Sequence, residues 1–176
     1  WMLKQLFDSS LRDTVIFKGG TSLSKIFHLI KRFSEDIDLI LNWKENPIGN
    51  PLEKRSNAQQ AKFNEELDTW GQHYIADVLL PEVQKLCAGI CVAELSEEKP
   101  DNIIITYPKS FSDEYLRPQI LLEIGAKAAW VPHATYRISP YASDAYPQLF
   151  ATPEIDIIAT TPERSFWEKI TILHAE

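Results

Sequence analysis

The sequence predicts an α/β fold in which helices flank a mixed β-sheet, and three features of its 176 residues carry that expectation. Residues 14–17 and 36–41 are short, largely apolar runs on either side of a Gly-Gly turn and a helical stretch, which makes a strand–turn–helix–strand unit. Residues 58–86 hold a long helical pattern. Beyond Gly89 the texture changes to short strand-like runs set apart by Pro-rich and polar turns.

Taken in chain order, Trp1-Met2-Leu3-Lys4-Gln5-Leu6-Phe7 reads as an amphipathic helix broken by Asp8-Ser9-Ser10. Thr14-Val15-Ile16-Phe17 is β-branched and aromatic, a short buried strand that Gly19-Gly20 ends in a tight turn. Thr21 or Ser22 can cap the next helix, in which Leu23, Ile26, Phe27 and Ile30 follow the i, i+3, i+4, i+7 stripe. Residues 36–41 are the second strand. Residues 42–57 are polar, with two prolines and a glycine, and read as a surface excursion. Pro81 starts a second helix or kinks the first within the helical region. Later strands are expected at 91–95, 102–107, 119–124, 135–139 and 155–159. Thr161-Pro162-Glu163 then opens the last helix, a cap residue followed by Pro at the first helical position.

One domain, 1–176, holds all of this, with no internal repeat and no low-complexity segment. The opening helix lacks a cap residue before it, and the apolar pattern of Phe166, Ile170 and Leu173 still runs at Glu176. The chain is therefore expected to be part of a longer protein.

Hydrophobic residues make up 44% and charged residues 24%, which excludes a disordered chain and allows a real core. No apolar run approaches a membrane span and no signal peptide opens the chain, so a cytoplasmic protein is expected. A net charge of −7 argues against a general nucleic-acid coating surface, which rests on neutralising phosphates with Lys and Arg. Cys87 and Cys91 stand four apart without a second ligand pair, so they read as free thiols rather than a zinc site. The four histidines suit no Ser/His/Asp or Cys/His arrangement and are assigned no part.

The chemistry concentrates between Lys18 and Asp38. In Lys18-Gly19-Gly20-Thr21-Ser22 the glycines let backbone approach an anion, the helix end that follows favours negative charge, and two hydroxyls add donors. A plain strand-to-helix turn with a hydroxyl cap gives the same residues, and the spacing of a Walker loop or a dinucleotide fingerprint is absent. In Asp36-Ile37-Asp38 two carboxylates share one strand face while Ile37 and Leu39 take the other. A hard divalent cation relieves their repulsion; a strand end reaching solvent would tolerate them without one. Glu123 lies inside the apolar run Ile120-Leu121-Leu122-Glu123-Ile124, where an unpaired charge is costly, and can complete a metal set with Asp36 and Asp38. Lys18, Lys25, Arg32 and Lys169 are the cations available to phosphate; most lysines on helices merely solvate an outer face.

Lys18-Gly19-Gly20-Thr21-Ser22-Leu23 followed by Arg32-Phe33-Ser34-Glu35-Asp36-Ile37-Asp38-Leu39 resembles the signature of the AbiEii/AbiGii-type nucleotidyltransferase toxins, within the DNA polymerase β-like superfamily. The likeness extends to Trp1 and Leu6-Phe7, and more loosely to Leu121-Leu122-Glu123-Ile124 and to residues 161–170; residues 42–109 carry none. The resemblance implies a polymerase β-like core in which Gly20, Thr21 and Ser22 hold a triphosphate; Gly19, Lys25 and Arg32 join them as nucleotide-binding candidates from the residues themselves. It implies further that Asp36 and Asp38 bind Mg²⁺ or Mn²⁺ and that Lys169 contacts the nucleotide. The expected activity is metal-dependent transfer of a nucleoside monophosphate from an NTP to an acceptor such as tRNA or a protein. The expected setting is a toxin–antitoxin, abortive-infection or phage-defence system with a separate antitoxin. A kinase-like attack at the γ-phosphate is a close variant, and a catalytically silent nucleotide- or partner-binding module of the same fold is the alternative. The family places a further acidic motif in a C-terminal helical domain beyond the Glu-Lys helix, a motif not found within residues 1–176.

Overall fold

The computed structural model describes residues 1–31, 36–42, 44, 46–108, 118–127 and 131–175. Among them seven strands pair into one mixed sheet: β1 (Val15–Lys18), β2 (Asp36–Leu41), β3 (Val92–Leu95), β4 (Asn102–Thr106), β5 (Gln119–Gly125), β6 (His133–Ile138) and β7 (Ile155–Thr160). Their spatial order is β3-β4-β5-β2-β1-β7-β6. β2 runs parallel to β5 and β1 parallel to β7, while the other neighbours are antiparallel.

Alternation along the strands sorts the two faces. Ile37, Leu39 and Leu41 of β2, Val15 and Phe17 of β1, Leu122 and Ile124 of β5, and Ile103 and Ile105 of β4 all enter one hydrophobic core. Two helical layers close that face. Met2, Leu6 and Phe7 of α1 (Met2–Phe7) join it from one side. The other cover is α3 (Asn57–Tyr74), continued through a π-type turn at Ile75–Leu79 into α4 (Leu80–Cys87), which contributes Ile75, Leu79, Val83 and Cys87. Ser56 and Gln59 form a reciprocal capping box that starts α3. Pro81 lies in the first turn of α4, so the expected break at that residue is a π-type widening rather than a gap between helices. The opposite sheet face is polar and only partly covered. There Ile16 and Ile40 make a small apolar patch with Ile158.

The strand expectations agree with the observed elements to within two residues, but the first βα unit is built differently. The helix after β1, α2 (Gly19–Lys25), begins at Gly19 itself and ends at Lys25 rather than running on to Ile30. His28 adopts a left-handed backbone (φ 53), which stops the helix. Phe27 leaves the expected stripe and packs edge-to-face on Tyr136 of β6, with ring centroids 5.0 Å apart. A 3₁₀ turn at Ser10–Asp13 and a short helix, α5 (Tyr141–Ala145), fill stretches that carried no helical signal. The last helix, α6 (Pro162–Ala175), is capped as expected, with the Thr161 hydroxyl accepting from the Arg164 N–H at 3.4 Å. Cys87 is buried and Cys91 partly so, and both are free thiols.

At Gly71 the helix α3 lies close against the end of the sheet. A Cβ at Gly71 would come within 2.6 Å of the Ala126 Cβ, just past the end of β5. Gly71→Ala gains helix propensity yet overpacks this contact, which typically costs about 1–3 kcal/mol. We expect urea unfolding to show net destabilisation, and Ala126→Gly in the same chain to restore stability. Additive effects in that double-mutant cycle would mean the contact does not limit the packing.

Candidate functional site

Register alone assembles the site. Lys18 of β1 pairs with Asp38 of β2, Asp38 with Glu123 of β5, and Glu123 with Asn102 of β4. Paired residues in neighbouring strands point to the same face, so Lys18, Asp38, Glu123 and Asn102 form one row across four strands on the polar side of the sheet. Asp36 lies two residues from Asp38 on that same face, level with Leu121. Three acids named from the sequence thus share a face, because the odd-numbered partners Ile37 and Leu39 are held in the core.

The turn after β1 packs directly against this row. Gly19 has φ +77, and a Cβ there would overlap the Asp38 carboxylate. Only glycine meets both requirements. The Thr21 hydroxyl donates to the Asp36 carbonyl at 2.7 Å, tying α2 to the start of β2. Ser22 is fully buried and donates to the Gly19 carbonyl at 2.8 Å, while Ser24 donates to the Thr21 carbonyl at 3.1 Å. These hydroxyl protons hold the turn in shape. Gly20 lies in the first turn of α2, where backbone N–H groups lack intrahelical partners.

Charge around Asp38 is dense. Burial pushes its carboxyl up from the ordinary value; Lys18 opposes the rise, and Glu123, Asp36 and Glu168 add to it. Lys18, half-buried, donates to Glu168 Oε1 of α6 at 2.7 Å, so the helix that carries Lys169 is tied to the residue just before the Gly-Gly turn. A buried Thr160–Ser165 hydroxyl pair at 3.4 Å joins the same helix to β7. Lys169 itself is exposed, one residue past Glu168. Lys25 is brought elsewhere: its ammonium lies 3.4 Å from the centroid of the Tyr141 ring on α5, and burial lowers its pKa against the pull of Asp144. Arg32 lies outside the described residues, as do Phe33, Ser34 and Glu35 of the motif.

Glu123 keeps one loose partner, Lys99, at 3.8 Å. Among the described residues no trio of His, Cys, Asp or Glu converges into a ready-made metal cage. The all-oxygen donor set still suits a hard cation. Mg²⁺ commonly takes only one or two protein carboxylates and completes its shell with water and substrate phosphate. A cleft of about 310 Å³ opens beside Asp36, floored by Ile104 and Leu121 and walled by Asn102, Gln119 and the Ser96–Lys99 turn. Sequence reading passed over Asn102, since a neutral amide in a strand has no periodic or charge signature. It also passed over Glu168, whose partner is distant in the chain.

The raised Asp38 pKa has a definite consequence. A carboxyl whose folded pKa exceeds its unfolded value destabilises the fold while charged, and the cost disappears as pH falls through the folded pKa. Asp38→Asn should therefore melt above the wild type at pH 7 without added metal, with the difference shrinking in more acidic buffer. A lower melting temperature at pH 7 would mean that attraction to Lys18 outweighs burial. Gly19→Ala should be destabilising at every pH, by at least about 1–2 kcal/mol for the left-handed backbone alone.

Comparison with known proteins places this geometry. No curated protein sequence matches the chain. The fold is similar to that of MenT4, a nucleotidyltransferase toxin from Mycobacterium tuberculosis H37Rv, with a TM-score of 0.52 and 14% identity over 96% of this chain. The chain spans 48% of that structure's length. No helix among the described residues is long and apolar enough to cross a membrane. The family model for the nucleotidyl transferase AbiEii toxin of type IV toxin–antitoxin systems matches residues 1–176, and the chain belongs to that family of nucleotidyltransferase toxins.

Proposed function

We propose that this chain carries the catalytic residues of a metal-dependent nucleotidyltransferase, the toxin of a toxin–antitoxin or abortive-infection system. It transfers a nucleoside monophosphate from an NTP to an acceptor such as tRNA, and a cognate antitoxin restrains it. The observation that supports this most is the gathering of Asp36, Asp38 and Glu123 on one sheet face against the Gly19 turn.

In the reaction, an acceptor oxygen attacks the α-phosphorus of the NTP, and the bond to the bridging oxygen breaks to release pyrophosphate. Asp36 and Asp38, with Glu123 as the third ligand, would hold Mg²⁺ or Mn²⁺, which when bound neutralises phosphate charge and orients the reacting oxygens. The chain's own groups do the positioning. Thr21 and Ser22 commit their hydroxyl protons to backbone carbonyls, so phosphate donors in this reading are the backbone N–H groups of the first turn of α2. Lys169 supplies an exposed cation from the helix that Glu168 ties to Lys18.

Incubating the protein with each labelled NTP, Mg²⁺ and total RNA tests the reading directly. One labelled nucleotide should appear on a discrete acceptor, and chelation should abolish it. Asp36→Asn and Asp38→Asn should each lower transfer by about a hundredfold or more, the scale of removing a preorganised electrostatic partner. Label released as inorganic phosphate or found on the acceptor only from the γ-position would indicate the kinase variant. NTP binding with no transfer under any condition would leave the silent binding module.

A further inference from the structure

Lys18 lies within reach of two carboxylates. By register it is the cross-strand partner of Asp38, the arrangement in which opposite charges ordinarily pair. Its ammonium goes to Glu168 Oε1 of α6, at 2.7 Å. The two side chains keep 19% and 27% of their exposure, so the pair is largely withdrawn from water. An ammonium in that setting is costly to leave without a carboxylate. Were Glu168 not holding it, Asp38 is the acid the β1 register offers next, and Asp38 already feels its pull.

The course of the chain puts Glu168 there. Phe17 of β1 is level with Ala159 of parallel β7, and one residue further both strands end, at Lys18 and Thr160. α6 therefore leaves β7 beside Lys18. Ser165 is buried, its hydroxyl 3.4 Å from that of Thr160, and Glu168 follows three residues later on the same helix face. The hydroxyl pair and the Thr161 cap fix the first turn of α6 without help from Glu168. A carboxylate placed one turn further, against a lysine beside the acidic pair, is thus free to serve the site rather than the docking of the helix.

An ammonium and a divalent cation compete for the same carboxylate: both need its lone pairs, and their charges repel. Lys18 is therefore a rival for the site built into the neighbouring strand. We propose that Glu168 is a positioning residue of the cation site, holding the Lys18 ammonium so that the Asp38 carboxylate stays open to a divalent metal. This rests on the metal reading of Asp36 and Asp38 given above. Glu168 acts here through Lys18 rather than as a ligand. Its own negative charge also favours a cation nearby, but that field acts whether or not residue 18 is a lysine. Positioning needs the lysine, so the two effects separate in a double-mutant cycle.

Mn²⁺ titration of the nucleotide-free chain, followed by loss of the free-ion electron paramagnetic resonance signal, tests this. The samples are wild type, Glu168→Gln, Lys18→Met, the double variant and Asp38→Asn. Wild type should bind Mn²⁺, and Asp38→Asn should bind it about tenfold more weakly or worse. Glu168→Gln should weaken binding by about tenfold or more where Lys18 is present, and by less than about twofold where it is methionine. Lys18→Met alone should bind at least as tightly as wild type. If a variant fails to fold, Lys18→Gln or Glu168→Asp enters the same cycle with the same expected coupling. Equal losses in the two backgrounds report the field alone and overturn the positioning, as does wild-type affinity in Glu168→Gln. An additive cycle in a chain whose Mn²⁺ binding needs Asp38 removes the positioning and keeps the metal site. Mn²⁺ binding that is absent at millimolar concentration, or indifferent to Asp38→Asn, removes the metal reading and the positioning with it.

Discussion

The pairing of β2 with β5 is the constraint from which the site follows. β2 lies between β1 and β5 with Ile37, Leu39 and Leu41 sealed in the core, so its even-numbered residues must face the other way. Slipping this strand by one residue would drive Asp36 and Asp38 into the apolar layer under α1 and α3. The cost of burying two carboxylates there far exceeds any single side-chain interaction on the polar face. Hydrophobic burial on one side therefore specifies electrostatics on the other. The parallel pairing also levels Asp38 with Glu123.

A sheet face crowded with acids needs compensation, and the chain arranges it with few cations. Lys18 is placed by the β1 register next to Asp38, but its ammonium is bonded to Glu168 rather than to Asp38. Burial pushes the Asp38 carboxyl up, and the pull of Lys18 opposes that rise without cancelling it. The same bond anchors α6, so one lysine both moderates the field at the carboxylates and fixes the helix over them. The outward side of α6 meanwhile presents Phe166, Trp167 and Ile170 to solvent. Two properties of α6, its docking and its exposed apolar face, thus sit on opposite sides of one short element.

Much of the fold was legible because each strand carried its own local signal. Runs such as Ile103-Ile104-Ile105 and Ile155-Asp156-Ile157-Ile158 are bounded by turn residues, and period-two patterning named Asp36 and Asp38 as neighbours. Glu123 was legible for a different reason, as a charge inside an apolar run. What escaped depended on tertiary contacts. The stripe of Leu23, Ile26, Phe27 and Ile30 is a valid helical pattern, but the Phe27–Tyr136 packing and the left-handed His28 override it. Lys25 sat at a plausible distance in sequence from the turn, yet an aromatic ring on α5 takes its ammonium. Thr21 and Ser22 matched an anion-binding motif, whereas their hydroxyls serve the backbone.

Asn102 shows why register is the missing information. Nothing in Asn102-Ile103-Ile104-Ile105-Thr106 separates its first residue from an ordinary strand opening, and only the β4–β5 pairing sets it level with Glu123. A row that runs Lys18, Asp38, Glu123, Asn102 changes from cation to anions to a neutral amide across four strands. In the proposed reading the charged centre is where the carboxylates would share a cation. The other end carries an amide in place of a further charge. The polar face is therefore graded rather than uniform, and its gradient follows from the order in which four strands, distant in sequence, are laid side by side.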